Sequence, residues 1–276
     1  MPENASPDLI VIPARFASER LPGKPLVPIA GQALLTRVVA VARESARRAG
    51  NTHVIVATDD VRVLDHALSL GCDAALTEAT ISSGSGRAWA VARDRKVAPQ
   101  IVVNLQGDAP FVQPAMIMAL ISALRDSNCG VATPVVRLSW EGLDALRRHK
   151  QLSPFSGTTC TRRSDGRALW FSKAIIPSIR GEAHLRQASP ISPAFRHIGL
   201  YAYRFETLER FEGMAPTPYE LLEGLEQLRF LEAGEEILTV EVAAPAHAMS
   251  GIDTAEDVAM AERLIAEHGE PHLSWI

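Results

Sequence analysis

The chain has 276 residues, 47% hydrophobic and 22% charged, with a formal net charge of -4. That balance fits one large α/β domain, or a main domain with a modest subdomain, and can bury a sizeable core. It offers no general attraction for a polyanion, which excludes nucleic acid as the main partner but leaves room for a local basic nucleotide pocket.

The opening Met1-Pro-Glu-Asn-Ala-Ser-Pro is polar and reads as a frayed end. Leu9-Ile-Val-Ile-Pro-Ala then reads as a buried strand that runs into a loop, punctuated by Pro22 and Gly23. A helical pattern covers residues 34–49 and stops at Gly50 and Asn51. His53-Val-Ile-Val-Ala-Thr is the next strand, followed by Asp59-Asp60 and a helix through Leu70. A short strand over 71–76, a Ser/Gly loop and a helix over 87–95 come next. Ile101-Val-Val-Asn-Leu follows, with Gln106-Gly-Asp108 at its C-terminal end. The alternation predicts an open, mainly parallel sheet covered by helices, with its working loops on the edge where the strands end.

After Val131-Ala-Thr-Pro-Val-Val the order loosens. Residues 140–193 read as strand-rich and partly outside the main sheet, with a hairpin around Ser164-Asp-Gly166. His197-Ile-Gly-Leu-Tyr-Ala-Tyr reads as a strand, residues 219–233 as a helix, and Ile237-Leu-Thr-Val-Glu-Val as a strand. Thr254-Ala-Glu-Asp257 has capping-box spacing and opens a terminal helix reaching about His268. These readings divide the chain into a flexible start (1–8), a principal α/β region (9–135), a less regular subdomain (136–210) and a return to the main domain (211–276). Cys72, Cys129 and Cys160 lack metal-ligand spacing and read as structural. No leader segment and no membrane-length apolar run is present, so the expected location is the cytoplasm, with no membrane partner.

The stretch Pro13-Ala-Arg-Phe-Ala-Ser-Glu-Arg-Leu-Pro-Gly-Lys-Pro-Leu carries Arg15, Arg20 and Lys24 in the loop after the first strand. Three converging cations suit a triphosphate and the pyrophosphate that leaves it. Charge spacing alone fits a solvated basic loop equally well. Both the P-loop and the dinucleotide fingerprint are disfavoured, because Gly23-Lys24 runs into Pro25 without the earlier glycines. Asp108 and Asp253 offer hard oxygen ligands for Mg²⁺ if the fold joins them, although Asp253 by itself reads first as a helix-start residue.

The loop resembles the signature of the CMP-Kdo synthetase family, the 3-deoxy-manno-octulosonate (Kdo) cytidylyltransferases. The similarity continues through Ala57-Thr-Asp-Asp60, Asn104-Leu-Gln-Gly-Asp108, Phe171-Ser-Lys-Ala-Ile-Ile-Pro177 and Phe195-Arg-His-Ile-Gly-Leu-Tyr201. Glu226-Gln-Leu-Arg229 and Gly251-Ile-Asp-Thr-Ala-Glu-Asp257 complete an ordered set from about Leu9 to Leu264. The resemblance implies a Rossmann-like nucleotidyltransferase fold, a homodimer, CTP as substrate, and Asp108 and Asp253 as magnesium ligands. It also implies that region 9–135 binds the nucleotide and that subdomain 136–210 binds the acceptor and dimerises. It implies phosphate contacts from Arg15, Lys24 and Arg20. For the cytidine end it points to Ser82–Arg87, with Ser83 and Arg87 as candidates, and to Gln106, which reads equally as a loop brace. Arg196 and His197 become acceptor candidates as cationic or donor groups, against the plain reading of local structural roles. Lys173 is weighed in the same way. Glu226 belongs first to an ion-pair pattern with Arg229, and second to the site or a dimer edge.

The chain departs from the family pattern on the base and acceptor side. Where His-x-Ser-Gly-Thr-Asp/Glu-Arg is usual, Ile81, Ser85 and Gly86 replace the histidine, the threonine and the acid. Ala109 replaces the glutamate after Gln-Gly-Asp, Ser153–Cys160 replaces an Asn-x-x-Lys segment, and Lys173 replaces an arginine. The leading expectation is therefore a cytidylyltransferase acting on Kdo or a related 3-deoxy-2-keto sugar acid. A small phosphonate such as phosphonoformate is the alternative acceptor, and a catalytically silent nucleotide-binding protein is the reading from another class.

Overall fold

The computed structural model describes residues 6–245, 247, 249 and 251–271, and in it the apolar runs of the first half become a parallel layer. Of the opening segment expected to fray, residues 1–5 lie outside the described residues. β1 (Asp8–Pro13) passes through a 3-10 turn at Lys24–Leu26 and a small hairpin, β2 (Pro28–Ile29) with β3 (Gln32–Ala33). The chain continues as α1 (Leu34–Ala49), β4 (Thr52–Thr58), α2 (Val61–Ser69), β5 (Asp73–Leu76), α3 (Gly84–Arg93) and β6 (Ile101–Leu105). β1 pairs in parallel with β4 and β6, and β5 pairs outside β4. All residues of β1 and β6 are buried, which is why both read as unbroken apolar runs.

The second half supplies α4 (Pro114–Arg125), β7 (Val131–Ser139), α5 (Trp140–Leu152), β8 (Thr158–Arg162), β9 (Ala168–Ser172) and α6 (Glu182–Ala188). β10 (Ile191–His197), β11 (Leu200–Arg204), α7 (Phe205–Glu212), α8 (Pro218–Glu223), α9 (Gln227–Glu232), β12 (Ile237–Glu241) and α10 (Ala255–His268) complete it. β10 and β11 run antiparallel along one edge of β7, with His197 opposite Val135 and Ala202 opposite Ala132. Together they are one path, broken at Ile198-Gly199. Below the break β11 pairs with β6, and above it β10 pairs with β8, which pairs with β9. β12 closes the other edge of β7 in parallel. The sheet therefore forks at the break. One prong carries the parallel layer and the other carries the β8–β9 hairpin.

Apolar side chains of α1, α2, α4 and α10 cover one face, and those of α3, α7 and α9 cover the other. The hairpin expected around residue 165 forms as β8–β9. Three expectations need correction. The strands of residues 140–193 extend the main sheet as β8, β9 and the start of β10, so the elements outside it are helices, α5 over 140–152 and α6 over 182–188. The continuous helix expected over 219–233 is two short helices, split by Gly224 with φ 62°. α4 was not anticipated. It buries six side chains, from Pro114 to Leu124, and its apolar run resembles a strand as much as a helix.

Candidate active site

The parallel strands end on one edge, and three loops meet there. The loop after β1 carries Arg15, Arg20 and Lys24, the loop after β5 leads into α3, and the loop after β6 carries Gln106, Gly107 and Asp108. Gly107 is required by contact: a Cβ there would sit 2.6 Å from the Pro13 carbonyl, whose oxygen accepts the Gly107 amide at 3.2 Å. The β6 loop is thereby pressed against the β1 loop. Asp253 arrives from the distant segment before α10. The Ile252 amide donates to the Asp108 carbonyl at 2.9 Å, so the two aspartate loops are stitched together.

Lys24 Nζ lies 2.6 Å from Asp108 Oδ2 and 2.9 Å from Asp253 Oδ1. Arg20 adds a longer contact of 3.2 Å to Asp253 Oδ2 at an exposed position. Burial opposes the charge on Lys24, but Asp108 and Asp253 together outweigh it and raise its pKa. Burial likewise raises Asp108, with the neighbouring Asp253 adding to it against the pull of Lys24. Burial also works against Asp253, yet its hydrogen bond to Lys24 and the nearby Arg20 bring it below the usual carboxylate range. Two carboxylates held this close need a cation between them, and in this structure the lysine provides it.

Around that centre the sequence-derived residues divide. Arg15 is exposed on its loop, free of the carboxylate pair that holds Lys24. Arg87, expected beside the nucleotide, serves in this structure as a strut. It is 1% exposed, donates to Asp59 at 2.8 Å and to the Thr77 hydroxyl, and ties the loops after β4 and β5 together. Asp59 also accepts the Phe16 amide at 3.2 Å, which links the same strut to the β1 loop. Ser83 caps α3, accepting the Gly86 amide at 2.9 Å. Gln106 donates to Asn104 Oδ1 at 3.0 Å, the bracing role that its sequence position allowed.

A cavity of about 770 Å³ opens at the fork of the sheet, its wall including Lys173, Arg196, His197, Tyr201, Glu226 and Gln227; Tyr201 pairs with Asn104 of β6, the strand that leads to Asp108. The four acceptor candidates thus share one wall. Tyr201 and Gln227 were missed, although both sit inside motifs already quoted. Gln227 is 2% exposed and its amide nitrogen has no protein partner among the described residues.

His197 is not a cation, which corrects one of its two expected roles. Burial and then the nearby Lys173 push its pKa down to about 3, so the ring is neutral. The Thr133 hydroxyl lies 2.8 Å from His197 Nε2 and 2.8 Å from the Leu200 carbonyl. A carbonyl only accepts, so the hydroxyl proton goes to Leu200 and His197 Nε2 must be the N–H that donates to Thr133. Nδ1 is left with its lone pair. Glu226 is not the partner of Arg229, which binds Glu220. It accepts from Ser85 Oγ at 3.0 Å, and burial raises its pKa.

Lys150, unassigned by the sequence, anchors the cavity rim. Its ammonium donates to the carbonyls of Ser156, Gly157 and Lys173 at 2.5–2.9 Å, with the Pro154 carbonyl at 3.3 Å. Glu223 holds the other side of the Lys173 backbone, accepting its amide at 2.8 Å.

The sequence profile of the cytidylyltransferase family matches residues 9–237. The chain is 39% identical over 263 residues to the 3-deoxy-manno-octulosonate cytidylyltransferase of Maricaulis maris (strain MCS10), covering 95% of this chain and 98% of that one. It is 41% identical over 264 residues to the enzyme of the same description from Xylella fastidiosa (strain M12), covering 95% and 97%. Among solved structures it resembles CMP:2-keto-3-deoxy-manno-octonic acid synthetase complexed with CTP, with a TM-score of 0.80 and 32% identity over 95% of this chain and all of that one. A cytidylyltransferase from Leptospira borgpetersenii, at 16% identity and a TM-score of 0.57 over 95% of this chain and 87% of that one, shares the fold.

Proposed function

Because the chain belongs to the cytidylyltransferase family, among the 3-deoxy-manno-octulosonate enzymes, we propose that it transfers the CMP group of CTP to Kdo and releases pyrophosphate. One observation carries the reading: Lys24, Asp108 and Asp253 converge, with Asp108 on the loop that follows β6, and the strand paired with β6 carries Tyr201 into a cavity walled by Lys173, Arg196 and His197.

The anomeric hydroxyl of the sugar acid attacks the α-phosphorus in line, forming the new P–O bond as the bond to pyrophosphate breaks. Arg15 and Lys24 meet the growing charge on the phosphate oxygens, where positive groups are worth most. Asp108 and Asp253 fit a magnesium ion, since both reach the same ammonium and magnesium takes one or two carboxylates together with substrate phosphates. Among the described residues no group of three or more His, Cys, Asp or Glu forms a protein-only cage, which agrees with such a shared shell. When bound, that ion would neutralise and orient the α-phosphate oxygens. Lys24 then exchanges its carboxylates for phosphate.

The cavity favours a sugar acid over a small phosphonate. Lys173 and Arg196 suit the carboxylate, while the lone pair of His197 Nδ1 needs a hydroxyl proton. Kdo has both groups, and ionised phosphonoformate has no hydroxyl to give. The curated relatives likewise do not favour the phosphonate.

We further place the enzyme in the cytoplasm as a homodimer, with neither nucleic acid nor a membrane as partner. No helix among the described residues is long and apolar enough to cross a membrane. Leu152, Phe155, Leu221 and Leu222 are 70–88% exposed, and their two segments are both tied to the Lys173 backbone, through Lys150 and Glu223. A second copy of the chain would cover this apolar surface.

Pyrophosphate release from CTP should be measured in parallel with freshly supplied Kdo and with phosphonoformate, each with Mg²⁺ and with chelator. Release is expected with Kdo and Mg²⁺ alone. Release with phosphonoformate and not Kdo would overturn the acceptor assignment, and undiminished release under chelator would overturn the metal.

A further inference from the structure

Ser83 caps α3 and accepts the Gly86 amide, which makes residue 86 the third helical position. An acidic side chain at that position ordinarily reaches back to the cap and meets the positive end of the helix. In this chain the position is glycine, and the space beside it is filled from elsewhere. A Cβ on residue 86 would lie 2.9 Å from Ser83 Oγ, 3.0 Å from Ile81 Cγ2 and 3.1 Å from Glu212 Oε2. Glu212 is the last residue of α7, so its carboxylate comes to the start of α3 across a helix–helix contact.

The carboxylate is poorly compensated where it sits. Arg229, the cation of this region, gives Nε and NH2 to Glu220 and NH1 to the Met214 carbonyl. Glu212 Oε1 is buried with no hydrogen-bond partner among the described residues. Burial first, and then the like charge of Glu226, raise the Glu212 pKa, and Arg229 and Ser85 only ease it. Such a placement works against stability. What favours it is the positive end of α3, with a lesser pull from the Ser85 hydroxyl, whose proton also serves Glu226.

We propose that Glu212 is a positioning residue for the nucleotide: from α7 it supplies the negative charge that position 86 lacks, and so holds the Ser82–Ser85 turn in the shape that receives cytidine. The proposal rests on the cytidylyl-transfer reading above. It makes Glu212 the carboxylate that occupies the space beside position 86, next to Glu226 on the Ser85 hydroxyl.

The test is calorimetric titration of the full chain with CTP and Mg²⁺, with melting temperatures taken in the absence of ligand. Glu212→Ala and the milder Glu212→Gln are expected to weaken CTP binding about three- to ten-fold, the scale of one helix-terminal charge. Their melting temperatures should stay level or rise, because an uncompensated buried charge is removed. A residue serving only to hold α7 on α3 would lose affinity and melting temperature together. Gly86→Asp alone should also weaken binding, by placing two carboxylates in one volume. Gly86→Asp combined with Glu212→Ala should bind CTP more tightly than either single variant. Single variants that bind like the parent, or a double variant no better than Glu212→Ala, would overturn the proposal while leaving CTP binding by the parent intact. A parent chain that does not bind CTP would overturn the functional reading itself.

Discussion

At Lys24 one ammonium faces two carboxylates, and the balance of the site rests on that ratio. Asp108→Asn should lower kcat by at least about 100-fold, as expected for loss of a group that holds transition-state charge, with the protein still folded. Steady-state pyrophosphate release and a melting curve check it. A variant with more than a tenth of parental kcat would remove Asp108 from the chemistry. His197 yields a different kind of prediction. Its folded pKa, about 3, lies below its ordinary value of 6.5, so the unfolded chain binds the extra proton between those two values. Its contribution to stability is therefore complete above pH 6.5 and is lost as the pH falls from 6.5 toward 3. Acceptor KM should show no inflection from His197 between pH 6 and 8, and the His197 ring resonances should show no titration over that range. A titration midpoint near 6.5 would contradict the neutral ring. Arg15, Arg20, Lys24 and Asp108 could be located in the sequence because they follow strands that end on one edge, whereas Asp253 read first as a helix-start residue and joined them only through the family resemblance. The tautomer of His197 was not, because it depends on which carbonyl the Thr133 hydroxyl faces, a fact of β7 meeting the broken β10–β11 path.

Elements bring these residues together through short contacts between backbones. Gly107→Ala would force its Cβ into the Pro13 carbonyl at 2.6 Å, and overpacking against rigid backbone costs about 2–3 kcal/mol. Chemical denaturation should show that loss together with a raised KM for CTP, because the β1 and β6 loops separate. A loss under 0.5 kcal/mol, by the same scale, would mean the loops are not pressed together. At the start of α10 the capping box predicted from sequence is present: Thr254 Oγ1 accepts the Asp257 amide, and Asp257 Oδ2 accepts the amides of Thr254 and Asp253. Thr254→Ala should cost about 1 kcal/mol, read from the same denaturation curves, and should loosen the backbone that presents Asp253. Strands of the parallel layer and helices with clear caps were readable because their signals are local. The helix α4 and the split at Gly224 were not. An all-apolar run does not declare its period, and whether Gly224 sits inside a helix or ends one is settled by the contacts of Glu223 with β9.

At the scale of the whole molecule, the alternation of strands and helices in the parallel layer was foreseen and the fork was not, since β10 and β11 look like one strand with a poor centre until their partners differ. The association proposed above belongs at this scale. Leu222→Asp should convert a dimer into a monomer, read by light scattering after size-exclusion chromatography, because a charge in a closed apolar contact is heavily disfavoured. A parent chain that is already monomeric at micromolar concentration would remove the dimer. The fork itself has a consequence for how such a protein changes over generations. Arg15, Lys24 and Asp108 stand on the loops of one prong, whereas Lys173 and Arg196 belong to the other, and within the sheet the two prongs are joined through β7 and the break at Ile198-Gly199, with a shared core beneath. Substitutions of side chains that face the cavity from the β8–β9 prong therefore leave the contacts of the β1 and β6 loops in place. A lineage built on this sheet is free to trade one acceptor for another while its nucleotide stays the same.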